Sequence, residues 1–165
     1  MNNIFSFGTL AFVAILILSP ITSHAYGTSE QSAVRLSDTH VLFSITYKLG
    51  FINRASSLPL IANTSSSKDL SFTIIDNDNN ETMIKTHSII LADKSKLKNK
   101  RYFLPEGSSS DFTLIVVAEI PVDDTKKHKL QITNLPFITI DQGNAVKLGK
   151  VDKNTLSEFV TPYTK

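Results

Sequence analysis

The stretch Val41 to Leu49 alternates almost without a break. Val41, Phe43, Ile45, Tyr47 and Leu49 are apolar, while Ser44, Thr46 and Lys48 stand between them, with Leu42 as the one apolar intruder. An extended chain turns successive side chains to opposite faces, so a period of two predicts a strand with one apolar and one mostly polar face. Gly50 ends the pattern.

The same pattern recurs along the chain in short pieces. Leu70 to Ile75 alternates, with Leu70, Phe72 and Ile74 on one side, and Asp76-Asn77-Asp78-Asn79-Asn80 follows as a dense turn signal. Thr82 to Ile84, Ser88 to Ala92, Tyr102 to Leu104, Lys129 to Asn134, Phe137 to Ile140 and Ala145 to Leu148 are further strand-like runs. Leu58 to Ala62 carries Pro59, which lacks a ladder donor and points to a sheet edge or a strand start. Phe112 to Ala118 is apolar except for Thr113, as expected of a strand in the middle of a sheet and buried on both faces.

Eight or nine short strands at spacings of roughly 8–12 residues, with turn chemistry between them, predict an antiparallel sandwich or barrel. The fold expectation is therefore all-β, a single antiparallel β-sandwich, immunoglobulin-like in preference to a barrel. The Cys and Trp that mark true immunoglobulin domains are both missing. Only Thr155-Leu156-Ser157-Glu158 points to a helix. A hydroxyl and a carboxylate three residues apart form a capping box, and Pro162 limits it to about one turn.

Compartment is written at the N-terminus. Met1 to Ser29 contains no Asp, Glu, Lys or Arg, and Ile4 to Leu18 is almost wholly apolar. Pro20 breaks the run, and Ser23-His24-Ala25 offers small residues at both specificity positions of a cleavage site. The apolar run falls short of the roughly 20 residues that cross a bilayer as a helix. It reads as a cleavable signal peptide over residues 1–25, although no Lys or Arg precedes the run. Without a Cys at the junction, lipid modification there is excluded. The expectation is an exported protein, periplasmic or secreted, with no transmembrane segment after cleavage. Residues 26–39, in which Val34 and Leu36 are the main apolar side chains, read as a flexible polar leader, and residues 40–165 as the β-sandwich domain.

Composition narrows the function classes. Seventeen basic against fifteen acidic residues give a net charge of +2, which argues against nucleic acid as an obligatory partner. There is no Cys, so an exported domain of this kind must be stabilised by apolar packing or by assembly and not by disulfides.

Candidate chemistry is sparse. Asp76 to Glu81 supplies carboxylate and amide oxygens of the kind calcium favours, but Glu81 stands where an EF-hand loop needs Gly and His87 where it needs a bidentate carboxylate. A hairpin tip is the simpler reading, and no metal or other cofactor is expected. Ser65 to Lys68 and Ser95 to Lys98 match the S-x-x-K spacing of penicillin-recognising enzymes, yet both fall in polar loops without companion motifs. His40, His87 and His128 are scattered and read as surface or edge residues. Asn63-Thr64-Ser65 and Asn80-Glu81-Thr82 are glycosylation sequons by spacing alone.

One binding patch stands out. Lys94, Lys96, Lys98 and Lys100 recur at every second residue and Arg101 follows; drawn out as a strand they would offer a ladder of charge to an anionic polymer. A lysine-protected edge strand or solvated loop accounts for the same residues.

The functional expectation is a non-enzymatic exported module that presents a surface to a protein or cell-surface partner, such as a piece of an envelope assembly. A subunit that donates a strand to its neighbour belongs to the same class. The alternative from another class is an exported hydrolase or a small-ligand or glycan binder. Its groups would have to converge from separate strands, with His87, Ser88 or Asp111 as members.

Overall fold

The computed structural model describes residues 23–51, 55–59, 62, 68–98, 101–141 and 144–164. Eleven strands and one helical turn follow one another in these residues: β1 (Ser23–Arg35), β2 (His40–Phe51), β3 (Ala55–Pro59), β4 (Ser71–Asp76), β5 (Lys85–Ala92), β6 (Lys96–Lys98), β7 (Arg101–Leu104), β8 (Ser109–Glu119), β9 (His128–Asn134), β10 (Pro136–Asp141), β11 (Asn144–Lys150) and α1 (Lys153–Leu156). They form a four-stranded sheet in the order β1-β2-β8-β5, a five-stranded sheet in the order β11-β10-β3-β7-β6, and a β4-β9 ribbon. Every pairing between these strands is antiparallel. The sheets stay open, with β1 and β5 at the edges of one and β11 and β6 at the edges of the other. The fold is an antiparallel β-sandwich and not a barrel, as the alternation predicts.

Alternation is what fills the core. Val41, Phe43, Ile45, Tyr47 and Leu49 of β2 and Phe112, Leu114, Val116 and Ala118 of β8 all point inward and are buried. Their rings meet those of other elements. Tyr47 stacks on Phe112 at 5.8 Å and on Phe159 at 5.5 Å, Tyr102 of β7 meets Phe112 edge-on at 5.8 Å, and Phe51 meets Phe137 of β10 at 4.9 Å. Aromatic pairs at such separations add to the burial of their area. Close approach within the five-stranded sheet requires Gly149, because a Cβ there would run into the Phe137 ring.

Four expectations are corrected. Residues 26–39 are not a loose leader: Tyr26 to Arg35 lies within β1, which pairs with β2 from Ser23↔Phe51 to Arg35↔Val41. Gln31 Nε2 also donates to the Glu158 carbonyl at 2.8 Å. The strand contains register shifts on both sides of Thr28 and a left-handed Gly27, irregularities that blur its period of two. Second, β3 lies inside its sheet between β10 and β7. Pro59 is tolerated because β10 pairs only as far as Ser57, so the absent N–H falls beyond that ladder.

Third, β8 does occupy a sheet centre, but only one of its faces is buried; Thr113, Ile115 and Val117 on the other are half-exposed. Fourth, the helical turn starts earlier than the capping box indicates. Asp152 is its cap, taking the Thr155 N–H at 3.0 Å and the Thr155 hydroxyl at 2.6 Å. That phase seats both Leu156 and Phe159 in the core. The apolar run Ile4 to Leu18 lies outside the described residues. Among the described residues no helix is long and apolar enough to cross a membrane.

Candidate interaction surface

The outer face of the four-stranded sheet follows from strand parity. With the odd residues of β2 and the even residues of β8 facing inward, register aligns the others in rows. Val34, Leu42, Val117 and His87 form one row, and Ser32, Ser44, Ile115 and Ile89 the next. Glu30, Thr46, Thr113 and Leu91 form a third, in which the two threonine hydroxyls meet at 3.0 Å. Six aliphatic side chains thus lie across all four strands. Val34 is 49% exposed, Ile89 52% and Leu91 45%, while Leu42, Ile115 and Val117 are half-buried by their neighbours. A contiguous apolar patch on a folded surface is a mark of an interaction site.

Charge lies at the two ends of this face and, on the edge strand β1, at exposed Glu30 opposite Thr46. At one end His40, Glu119 and Lys85 share a row, with Lys85 Nζ 2.6 Å from Glu119 Oε1 and His87 Nε2 3.9 Å from it. The Lys85 ammonium, above all, holds the Glu119 carboxyl below its ordinary range. At the other end Lys48 stands opposite Asp111.

The Asp76 corner has a different character. Asp76 ends β4 with its side chain only 5% exposed. Its Oδ1 accepts the N–H of Asp78 at 2.9 Å and of Asn80 at 2.8 Å, and Oδ2 takes the Lys126 ammonium at 2.6 Å. Asn79 adopts the left-handed φ of 63° that the turn needs. Lys126, and then the Asn80 N–H, hold the Asp76 carboxyl down to about 2, and Asp76 with Asp78 pushes the Lys126 ammonium up. A protein cation therefore sits where a calcium ion would have to bind, and the cluster ties the β4 turn to the segment before β9. Among the described residues no group of three or more His, Cys, Asp or Glu is arranged to hold a metal.

The lysine ladder is split between elements. Lys96 and Lys98 lie on β6, Arg101 opens β7 opposite Lys98, and Lys94 precedes β6 with its ammonium 3.9 Å from neighbouring Asp93. Lys100 lies outside the described residues. Arg101 is half-buried and turns its guanidinium onto the Lys68 carbonyl at 3.3 and 3.4 Å, and burial lowers its pKa from the ordinary value. Phe103 stands opposite Lys96, an aromatic neighbour that spacing along one strand could not reveal.

The candidate hydrolytic groups do not converge. His87 is opposite Val117, whereas Asp111 lies six residues further along β8, roughly 20 Å away at strand rise. Ser88 points to the other face of β5 from His87. Ser95 and Lys98 belong to an extended segment, with no helix start to bring the hydroxyl and amine together. Of the S-x-x-K pair at Ser65 to Lys68, Ser65 lies outside the described residues.

His128 corrects the expectation of a surface histidine. It is fully buried, with Nε2 3.3 Å from Asp124 Oδ2 but neither ring nitrogen in a hydrogen bond among the described residues. Its backbone is held by Thr164, whose hydroxyl accepts the His128 N–H at 3.0 Å. Parity carries the explanation: Leu130 and Ile132 face inward, and His128 is two residues before Leu130 on the same face.

No family model matches this chain, and no curated protein matches it. Among solved structures, a yeast GGA1 GAE domain is similar over 78% of this chain and 98% of its own, at 14% identity and a TM-score of 0.27. A similarity at that score carries no argument about site or partner.

Proposed function

We propose that the protein is an exported, non-enzymatic β-sandwich domain that works by presenting a surface to a protein or cell-surface partner. The observation that carries this reading is the aliphatic outer face of the four-stranded sheet, where Ile89, Leu91 and Val34 remain exposed beside half-buried Leu42, Ile115 and Val117. Flat apolar sheet faces favour macromolecular partners, whereas small-molecule sites are concave. The uncharged N-terminal stretch and the small residues before Tyr26 support export.

Capture from the native envelope or culture medium tests the reading. The chain should retain a partner that is lost when Ile115 is replaced by Glu, with the circular-dichroism spectrum unchanged. Retention that is indifferent to Ile115→Glu would overturn the assignment to this face. N-terminal sequencing of the exported product should begin at or near Tyr26, and a product beginning at Met1 would refute cleavage.

A further inference from the structure

We propose that the outer face of the four-stranded sheet docks against the same face of a second copy, about a two-fold axis that runs along the strands between β2 and β8. The inference rests on the interaction reading above and names the partner.

Charge at the ends of the face selects the arrangement. A two-fold axis in that position lays β2 of one copy over β8 of the other, and β1 over β5, without exchanging the two ends. Lys48 then stands over the second copy's Asp111, and His40 over its Glu119; by symmetry each pair occurs twice. Between them Leu42 meets Val117, and Ile115 lies over Ser44 with Thr46 and Thr113 beside it. Leu42 against Val117 makes an apolar contact, and Ile115 over Ser44 sets a large side chain against a small one, as interdigitating sheets about 10 Å apart allow. An axis across the strands instead exchanges the ends and lays β8 on itself. Glu119 then falls over Asp111, and His40 over Lys48. Like charges disfavour that alternative. The cross-strand pairing of opposite charges on adjacent central strands makes the face self-complementary in one orientation only. Cysteine-free stability by assembly fits the same arrangement.

Sedimentation velocity on the full chain, from about 1 to 100 µM, reads the association, since dimers of standard interface size populate within that range. The native chain should sediment as a dimer at the upper end. Lys48→Glu alone and Asp111→Lys alone should each weaken association roughly tenfold or more, because each creates two like-charge contacts in its homodimer. An equimolar mixture of the two variants should regain the native dimer. In the mixed pair the two introduced side chains face each other with opposite charge, and the unaltered Asp111 of one chain still faces the unaltered Lys48 of the other. Within each variant chain the Lys48–Asp111 neighbour pair stays broken, so recovery on mixing reports contact between copies. A native chain that is monomeric at about 100 µM, or a mixture no tighter than its components, would overturn the proposal. Association through the apolar N-terminal residues would be insensitive to both substitutions, which also overturns it. Loss of a captured envelope partner on Ile115→Glu from a chain that stays monomeric would sink the second copy alone and leave the interaction reading standing.

Discussion

The two faces of the four-stranded sheet are built from the same strands and have opposite fates. On the inner face Phe43, Tyr47, Phe112 and Leu114 are fully buried, with the rings of Tyr102 and Phe159 closing over Tyr47 and Phe112. On the outer face Leu42, Ile115 and Val117 are only half-covered, and Ile89 stands 52% exposed. Burial in this molecule is decided by what lies across from a strand and not by how apolar the strand is. A contiguous apolar face left uncovered is what the proposed contact would use.

Truncation on either side of one strand gives the sharpest test. Phe112→Ala removes a fully buried ring and should cost about 3–5 kcal/mol in urea unfolding, through lost burial and the cavity left behind. Ile115→Ala, three residues along and on the other face, should cost below about 1 kcal/mol at protein concentrations where the chain is monomeric. Equal losses would mean that the outer face is covered after all, and would break the comparison.

Gly149→Ala probes the inner face from the second sheet. The added methyl meets the Phe137 ring, so Phe137 or β11 must shift, at a cost of about 1–3 kcal/mol in the same measurement. An unchanged midpoint would show that β11 yields freely at that contact.

His128→Leu asks whether a polar residue on the inner face is a liability. Both ring nitrogens lack hydrogen bonds among the described residues, and an apolar side chain of similar size should raise stability by about 1 kcal/mol. A loss would mean that the proximity to Asp124 at 3.3 Å is worth more than the burial costs.

The smallest effect belongs to the Asp76 corner and appears only in acid. The Asp76 carboxyl is held at about 2 in the fold against an ordinary 3.8. The contribution is complete above the ordinary value, and is lost as pH falls from about 4 through about 2, because the unfolded chain takes up the proton first. Asp76→Asn should therefore flatten the pH dependence of stability in that window. A slope unchanged by the substitution would remove Asp76 as its source.

Strand parity was legible wherever the strand was regular. Val41 to Leu49, Leu70 to Ile75 and Lys129 to Asn134 fall on β2, β4 and β9 as their alternation predicts, and the same rule carried two residues back from Leu130 would have found buried His128. The hairpin reading of Asp76 to Asn80 anticipated the left-handed Asn79. Lys126, fifty residues away, was out of reach. Strand β1 was hidden because Gly27 and two register shifts interrupt its period, and because its pairing partner lies across a turn. The candidate surface was hidden for a related reason: Val34, Leu42, Ile89, Ile115 and Val117 are spread over four segments, and only register makes them neighbours.

The order of side chains by itself determined the fold class, the turn positions and which residues of each regular strand share a face, because those depend on neighbours along the backbone. Which strand pairs with which, which face is roofed and which is left open were decided only in the tertiary structure. Hydrogen-bond register and sheet packing join residues distant in sequence, and a pattern that repeats every two residues carries no address for its partner.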